Sequence, residues 1–584
     1  MNLTEFMKKA DKLAMGMPAE KLAAFLHDYV RSVPEHKRED FLKRLSAFAE
    51  RKVDNDYVRQ QEKYNKEQTI RKIGEITEQL EQINSGELTL TELYNEEYDD
   101  WYNSSEEEVY YEDPEGIGEI VREGCDLVHT CADNEWYEEG AELAELLMVL
   151  EAETDGEYVG DTCSLQELAE NNILTLDYEK FVTEALLVVY WGTKPEERPE
   201  ALYHMLLHAS CEGVSLETLM QKSTRELDRF SEFLASWIDY LGRQDGRPSE
   251  KYLREAIALT DDPEILPDAA RKYTDLHPGL YVQVLERCRA AGQSREGWNY
   301  GREAMERIRP EFTVRSRAAL LAASFALELG ERDAAQECWL EAFRSDSSVT
   351  NYLRLILECG DRKKYQSAAE TIYTNVYTRA GQSGNGFGNP ETNKKNSIDH
   401  KTYCTLLFFD GKFHRMLAEG MHEKDALGWS GTFMKEGMAL WLLYLYADET
   451  LRPGIMVMCR RSVGAARFSA EEYLRGTARS SAMADEAFFW ECFRKWRENI
   501  VLPEEEIGAI LEKLENWVRL RTEGIVGGGR RNYYGECAAW IAALGEVKES
   551  RGEPMGKAKL MEAYRGEYPR HRAFHQELRD FGMI

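Results

Sequence analysis

Apolar residues recur at i, i+3, i+4 and i+7 through most of this chain, between short breaks of Gly, Pro and Asn or Asp. That period belongs to helices whose one face is buried. Alternation of apolar and polar residues, which a half-buried strand needs, is nearly absent. The fold class this predicts is all-α. With 43 % hydrophobic residues over 584 positions there is enough apolar side chain for a large core. At roughly 100–200 residues per domain the chain holds several modules.

The most informative stretch lies between 280 and 380. RAAGQSREGWNYGREA, LELGERDAAQECWLEA and LECGDRKKYQSAAETI each read as a helix closing on a glycine, a polar turn and a second helix. Their turn glycines are Gly292, Gly330 and Gly360, and LLFFDGKFHRML supplies a fourth, Gly411. In the second copy Ala322 and Phe325 precede the turn, and Ala335, Trp339 and Ala342 follow it. Small residues at such offsets let two helices approach, and a large one fills the groove between neighbours. Trp298, Phe325 and Trp339 are thus expected to build a repeat groove rather than to touch a ligand. The uneven spacing of the glycines predicts an irregular tetratricopeptide-like (TPR-like) helical-hairpin solenoid with N- and C-terminal helical modules. The segments expected are an N-terminal helical module (1–90), an acidic, aromatic-rich linker (91–116), a helical domain (117–250), the repeats (251–450) and an Arg-containing helical domain (451–584).

Charge divides the chain differently. The formal net charge is −33, and residues 81–180 alone hold 31 acidic against 2 basic side chains. Within that block, ELYNEEYDDWYNSSEEEVYYEDPE (92–115) reads as a solvated linker, because like charges this dense repel one another. The alternatives are an acidic-aromatic docking segment for a basic partner and a mimic of a nucleic-acid backbone. Residues 459–534 run the other way: Arg460, Arg461, Arg467, Arg475, Arg479, Arg494, Lys495, Arg497, Arg519, Arg521, Arg530 and Arg531 interleave with Trp496, Tyr533 and Tyr534. Arginine with aromatics can follow a phosphate backbone and stack on bases, which makes Arg460, Arg461, Arg530 and Arg531 candidate nucleic-acid contacts. The same arginines can instead pair with acids nearby, or with the acidic block folded back over them. In the polar 55–84 helix, Ile70, Ile73, Ile76, Leu80 and Ile83 form a narrow stripe. A stripe of that width suits one partner helix, inside the chain or in a second copy.

Chemistry is harder to place. Eleven cysteines are scattered singly with no CxxC, CxC or CxxH, so they read as reduced core fillers. His204, His208 and Cys211 share one helix face but lack the Glu of a zinc-protease motif, and read as packed between helices. His571 and His575, also i, i+4, read as helix packing and surface. The glycine-rich stretch 380–397 lacks the preceding strand and the Gly-Lys-Ser/Thr ending of a phosphate loop, and 524–532 carries no nucleotide fingerprint. The acids of ETDGEYVGD fail the alternating order of a calcium loop. No catalytic residue, metal ligand or cofactor is therefore assigned, and the chain is expected not to be an enzyme. No run of about 18 apolar residues occurs, and MNLTEFMKKADKLAMGM carries charges where a leader is apolar. The expected location is cytoplasmic, with no membrane partner.

SRAALLAASFALELGERDAAQECWLEAFRSDSSVTNYLRLILECGD (316–361), with the upstream ETDGEYVGD and the final 530–582, resembles the helical-repeat region of bacterial SWIM zinc finger family proteins. Those carry a CxC…CxH zinc finger; this chain has neither half of it, so no zinc site transfers. The resemblance implies a helical fold and an accessory, scaffold-like role beside an ATPase or helicase-type partner. Two functional readings follow: a non-catalytic scaffold binding another protein, and a nucleic-acid-binding accessory factor using residues 459–534.

Overall fold

A computed structural model describes residues 55–94, 109–155, 162–209, 214–223, 226–382, 394–422, 432–477 and 483–583, and scattered positions before 55. The contacts divide the chain into two units: 1–194 with 201–214, and 195–200 with 215–584.

The first unit is helical around a small sheet. Its elements are α1 (Asn55–Asn84), β1 (Leu90–Tyr94), β2 (Val109–Glu112), α2 (Ile117–Asp133), α3 (Tyr137–Met148), β3 (Glu151–Asp155), β4 (Thr162–Ser164), α4 (Leu165–Glu170), α5 (Tyr178–Gly192) and α6 (Arg198–His208), whose first residues count with the second unit. The stripe on α1 finds its partner inside the chain: Ile76, Leu80 and Ile83 are buried, while Ile70 is exposed. Close approach there depends on Gly124, where a Cβ would stand 3.2 Å from Leu147 and 3.3 Å from Ile76.

The sheet, in the order β2-β1-β3-β4, is a local addition to the all-α, mostly helical fold expected, which the rest of the described chain keeps. β1 pairs antiparallel with β2 (Thr91 opposite Glu112) and parallel with β3 (Leu90 opposite Thr154). Its strands are short, and β3 buries Ala152 as its sole fully covered side chain, so the two-residue period is barely written in the sequence. The linker expected at 91–116 therefore contributes two strands; its residues 95–108 lie outside the described ones.

The second unit begins with α7 (Leu216–Lys222), α8 (Phe230–Gly242), α9 (Arg247–Ala258), α10 (Ile265–Lys272), α11 (Gly279–Ala290), α12 (Ser294–Arg307), α13 (Thr313–Glu328), α14 (Arg332–Ser345), α15 (Val349–Glu358), α16 (Arg362–Gln382), α17 (His400–Phe409) and α18 (Phe413–Gly420). α8 packs on α9, and from α10 to α15 each helix packs on the next. Three of the four turn glycines behave alike. Gly292, Gly330 and Gly411 have φ of 67°, 77° and 74°, a region open to glycine at no steric cost. In each, the N–H of the residue after the glycine donates to the carbonyl five residues back, Gln293 to Cys288, Glu331 to Ala326 and Lys412 to Leu407, and the glycine's own N–H to the carbonyl three back. This pair of bonds closes the helix end and consumes carbonyls the helix cannot satisfy. Gly360 works differently, since its N–H donates to the Gln336 side-chain oxygen Oε1 at 2.8 Å. Between hairpins, a Cβ on Gly301 would stand 2.5 Å from that of Ala322, and one on Gly297 2.5 Å from the Phe325 ring.

The remainder comprises α19 (Met434–Leu445), α20 (Pro453–Ala466), α21 (Ala470–Leu474), α22 (Asp485–Arg497), α23 (Glu504–Thr522), a π-helical turn (Glu523–Gly527), a 3-10 turn (Arg531–Tyr533), α24 (Tyr534–Ser550), α25 (Gly556–Glu567) and α26 (Arg572–Asp580). The boundary expected at 450/451 runs through an aromatic cluster: Phe408 lies 5.3 Å from Trp441 and 5.2 Å from Trp496, ring to ring. Trp496 also donates to the Phe409 carbonyl at 2.6 Å. α24 is buried from Cys537 to Val547, including the carboxylate of Glu546. That carboxylate accepts from the first amides of α20, Gly454 (3.2 Å) and Ile455 (2.9 Å), and from Lys557 (2.7 Å). A negative group at a helix start is the favourable sign.

Candidate anion-binding cleft

The arginines of 459–534 fall into two groups. Most are answered by neighbours within their own unit. Arg460 lies 3.9 Å from Glu486, Arg467 3.9 Å from Asp399 and Arg494 3.7 Å from Glu449, while Arg475 reaches Glu472 at 2.9 Å and Arg519 reaches Glu523 at 3.2 Å. Arg497 turns to the carbonyls at the end of α19. Arg479 lies outside the described residues.

The tightest of these groups surrounds Glu536, on the first turn of α24. Its Oε1 accepts from Arg521 at 2.8 Å and from Arg461 and Trp540 at 3.3 and 3.4 Å, with Lys435 at 3.7 Å. Arg521 is buried. Burial pushes the Glu536 carboxyl up, but Arg521, Arg461 and Lys435 outweigh it and hold it below the usual carboxylate range.

Arg531 belongs to the other group. The π turn ending α23 leads through Gly527, Gly528 and Gly529 into the 3-10 turn. A Cβ on Gly528 would stand 2.5 Å from the Gly524 carbonyl oxygen, so only glycine fits this path. The path leaves Arg531 exposed at the mouth of a cleft of about 550 Å³, which it shares with Arg570, Arg572 and His571 at the start of α26. Aromatic contacts hold this corner: the His571 ring lies 6.2 Å from Tyr534 and 5.7 Å from Tyr568, and Phe574 lies 5.8 Å from Tyr534. His575 bonds the Tyr568 carbonyl at 2.9 Å. No carboxylate lines the cleft. Among the described residues none pairs with Arg531, Arg570 or Arg572. The amides of Ala573 and Phe574 have no acceptor there either, and the first turn of α26 has no acid and no side-chain cap. Uncapped helix amides and guanidinium groups both attract negative charge.

Of the four candidate arginines, then, Arg531 lines the cleft, Arg530 is exposed on the adjoining turn, Arg461 faces Glu536 and Arg460 faces Glu486. Arg570 and Arg572 lie beyond the Arg-rich stretch 459–534, separated from it by a run with no excess of arginine. Their signal is the run RHR at 570–572, which has no acid beside it between Glu567 and Glu577.

Trp298, Phe325 and Trp339 are buried. A segment of the same chain covers Trp339: its Nε1 donates to the Gly476 carbonyl at 2.8 Å. The fully buried Arg354 of α15 binds the same segment through the carbonyls of Tyr473 (2.7 Å) and Glu472, and Tyr473 Oη donates to Glu358 at 3.0 Å. Burial lowers the Arg354 guanidinium to about 10. Beside this segment lies a smaller cleft of about 210 Å³ lined by Asp346, Asn351, Arg467 and Glu472 among others. Asn351 there is spent on the fold, donating to the Asp346 carbonyl at 2.8 Å and accepting from Arg354 at 2.5 Å.

His204 and His208 are exposed with rings 5.2 Å apart, so the expected packing between helices is corrected; Cys211 lies outside the described residues. No cluster of metal-ligating side chains occurs among the described residues. No disulfide joins the ten described cysteines, nine of which are buried. Burial raises Cys338, Cys404 and Cys537 to about 12, far from a reactive thiolate. No described helix is long and apolar enough to cross a membrane. The chain matches no family model and no curated protein.

Proposed function

We propose that the chain is a non-catalytic, TPR-like helical-hairpin scaffold that engages a partner protein through an anionic group held in the cleft of Arg531, Arg570 and Arg572. One observation carries this reading: three arginines without acidic partners meet in one cleft, in a unit whose other arginines are largely answered by acids or carbonyls. Leaving such charges unanswered side by side is unfavourable, and an incoming anion relieves it. The stack of hairpins supports the scaffold part, since such stacks present long surfaces to partners. A role beside an ATPase or helicase belongs to the same proposal and rests on the family resemblance. Acidic and phosphorylated peptides immobilised on a surface test it at 50 and 300 mM salt, concentrations of roughly the range over which exposed charges become screened. Wild-type chain is retained at low salt, and a variant with Arg531, Arg570 and Arg572 changed to Glu is not. Equal behaviour of the two chains overturns the reading.

A second reading is a nucleic-acid accessory factor. Tyr533, 43 % exposed beside Arg531, supports it, because an exposed ring next to a cation offers a stacking platform. It requires single-stranded DNA to bind with an affinity that falls steeply with salt and that drops when Tyr533 becomes Ala.

A further inference from the structure

We propose that the cleft at the start of α26 is a site for a phosphate monoester carried by a small molecule. This rests on the reading above that the cleft holds an anion, and the small molecule would occupy it in competition with the partner's anionic group. The donors come from two directions. Arg531 arrives on the turn before α24, and Arg570 and Arg572 flank the N-cap residue His571 on the other wall. Each guanidinium presents a planar fork that matches two oxygens of a phosphate. The open amide of Ala573, which also lines the cleft, adds a donor along the axis of α26, where the helix end favours negative charge.

The donor set exceeds what one carboxylate can use. A single fork already occupies both oxygens of a carboxylate, whereas the three terminal oxygens of a phosphate monoester can take forks and an amide together. A doubly charged group also offsets more of the repulsion among three cations than a singly charged one does. The cleft, at about 550 Å³, is in the size range that holds a small organic molecule, and the Tyr534 and His571 rings give it aromatic wall.

The surroundings argue against a nucleic-acid strand. Glu562, Glu567, Glu577 and Asp580 stand on α25 and α26, and Glu577 comes up to the start of α24, where a Cβ on Gly535 would lie 2.8 Å from its oxygen. A strand running out of the cleft meets like charge, while one terminal phosphate stays within the basic pocket.

Calorimetric titration of the full chain tests this with inorganic phosphate, adenosine 5′-monophosphate, glucose 6-phosphate, adenosine, succinate and a twelve-nucleotide oligothymidylate. The expected result is one saturable site for phosphate and for at least one of the two esters, with no binding of adenosine. The preferred ester distinguishes a nucleotide from a sugar phosphate. Arg531→Glu and the pair Arg570→Glu with Arg572→Glu each weaken phosphate at least tenfold. All three side chains are exposed and unpaired, so both variants melt as wild type does. Succinate binding as tightly as phosphate overturns the phosphate assignment and leaves the anion-docking reading standing. Absence of binding by every anion overturns both. Oligothymidylate binding more tightly than the monophosphate replaces the small molecule with a strand.

Discussion

Arg521 and Arg531 lie either side of one π turn and meet opposite fates. Arg521 is buried and bonded to Glu536 at 2.8 Å; Arg531 is exposed, with no acid beside it. Both belong to one Arg-rich stretch, and a count of charges treats them alike. What separates them is the supply of carboxylate that the fold brings from elsewhere: α24 delivers Glu536 to the first, and the turn into α26 delivers Arg570 and Arg572 to the second. An arginine is structural where the fold answers it and available where the fold repeats its sign.

The contrast breaks most readily at Glu536. Changing Glu536 to Gln leaves Arg521, Arg461 and Lys435 facing a neutral group. Losing one partner of a buried ionic cluster costs about 3–5 kcal/mol, which a shift of the urea midpoint measures. A silent substitution would mean that Arg521 is no more structural than Arg531.

Gly528→Ala comes next. Its Cβ would strike the Gly524 carbonyl, so the turn that carries Arg531 must shift, at a cost of about 1–3 kcal/mol. Anion binding should weaken several-fold although no charge has changed. Unaltered binding would show that the route of the turn does not place Arg531.

Acid should act on the first group through the same carboxylate. Because Glu536 is held below its ordinary value, its contribution is present above about pH 4.5, the unfolded carboxyl value, and is lost as pH falls through the lower folded one. Denaturation midpoints measured from pH 3 to 6 should fall with acid less steeply in Glu536→Gln than in wild type. The smallest effect on stability belongs to the second group: Arg531→Glu should stay within about 0.5 kcal/mol of wild type while abolishing anion retention.

The hairpins were legible because their signal is local. Gly292, Gly330 and Gly411 sit at left-handed helix ends, and one residue type serves that backbone best. Gly360 looked identical in sequence, yet a side chain from the preceding hairpin, Gln336, satisfies its amide, a contact no local pattern encodes. The sheet stayed hidden for a related reason, since the pairing of Leu90 with Thr154 joins distant segments and β3 has little apolar alternation. The cleft was half legible. Arg531 was a candidate, but its companions Arg570 and Arg572 come from another part of the chain, and only folding brings the two runs together.

The segment over Trp339 and Arg354 has a consequence for the hairpins as a binding surface. Carbonyls of residues 472, 473 and 476 already take the donors that an extended peptide would use there. Because this occupant is tethered, its local concentration is of the order of millimolar, and a free peptide must outcompete it. That stretch of the hairpins is already covered by its own chain, so the partner docking proposed above falls to surfaces elsewhere on the unit.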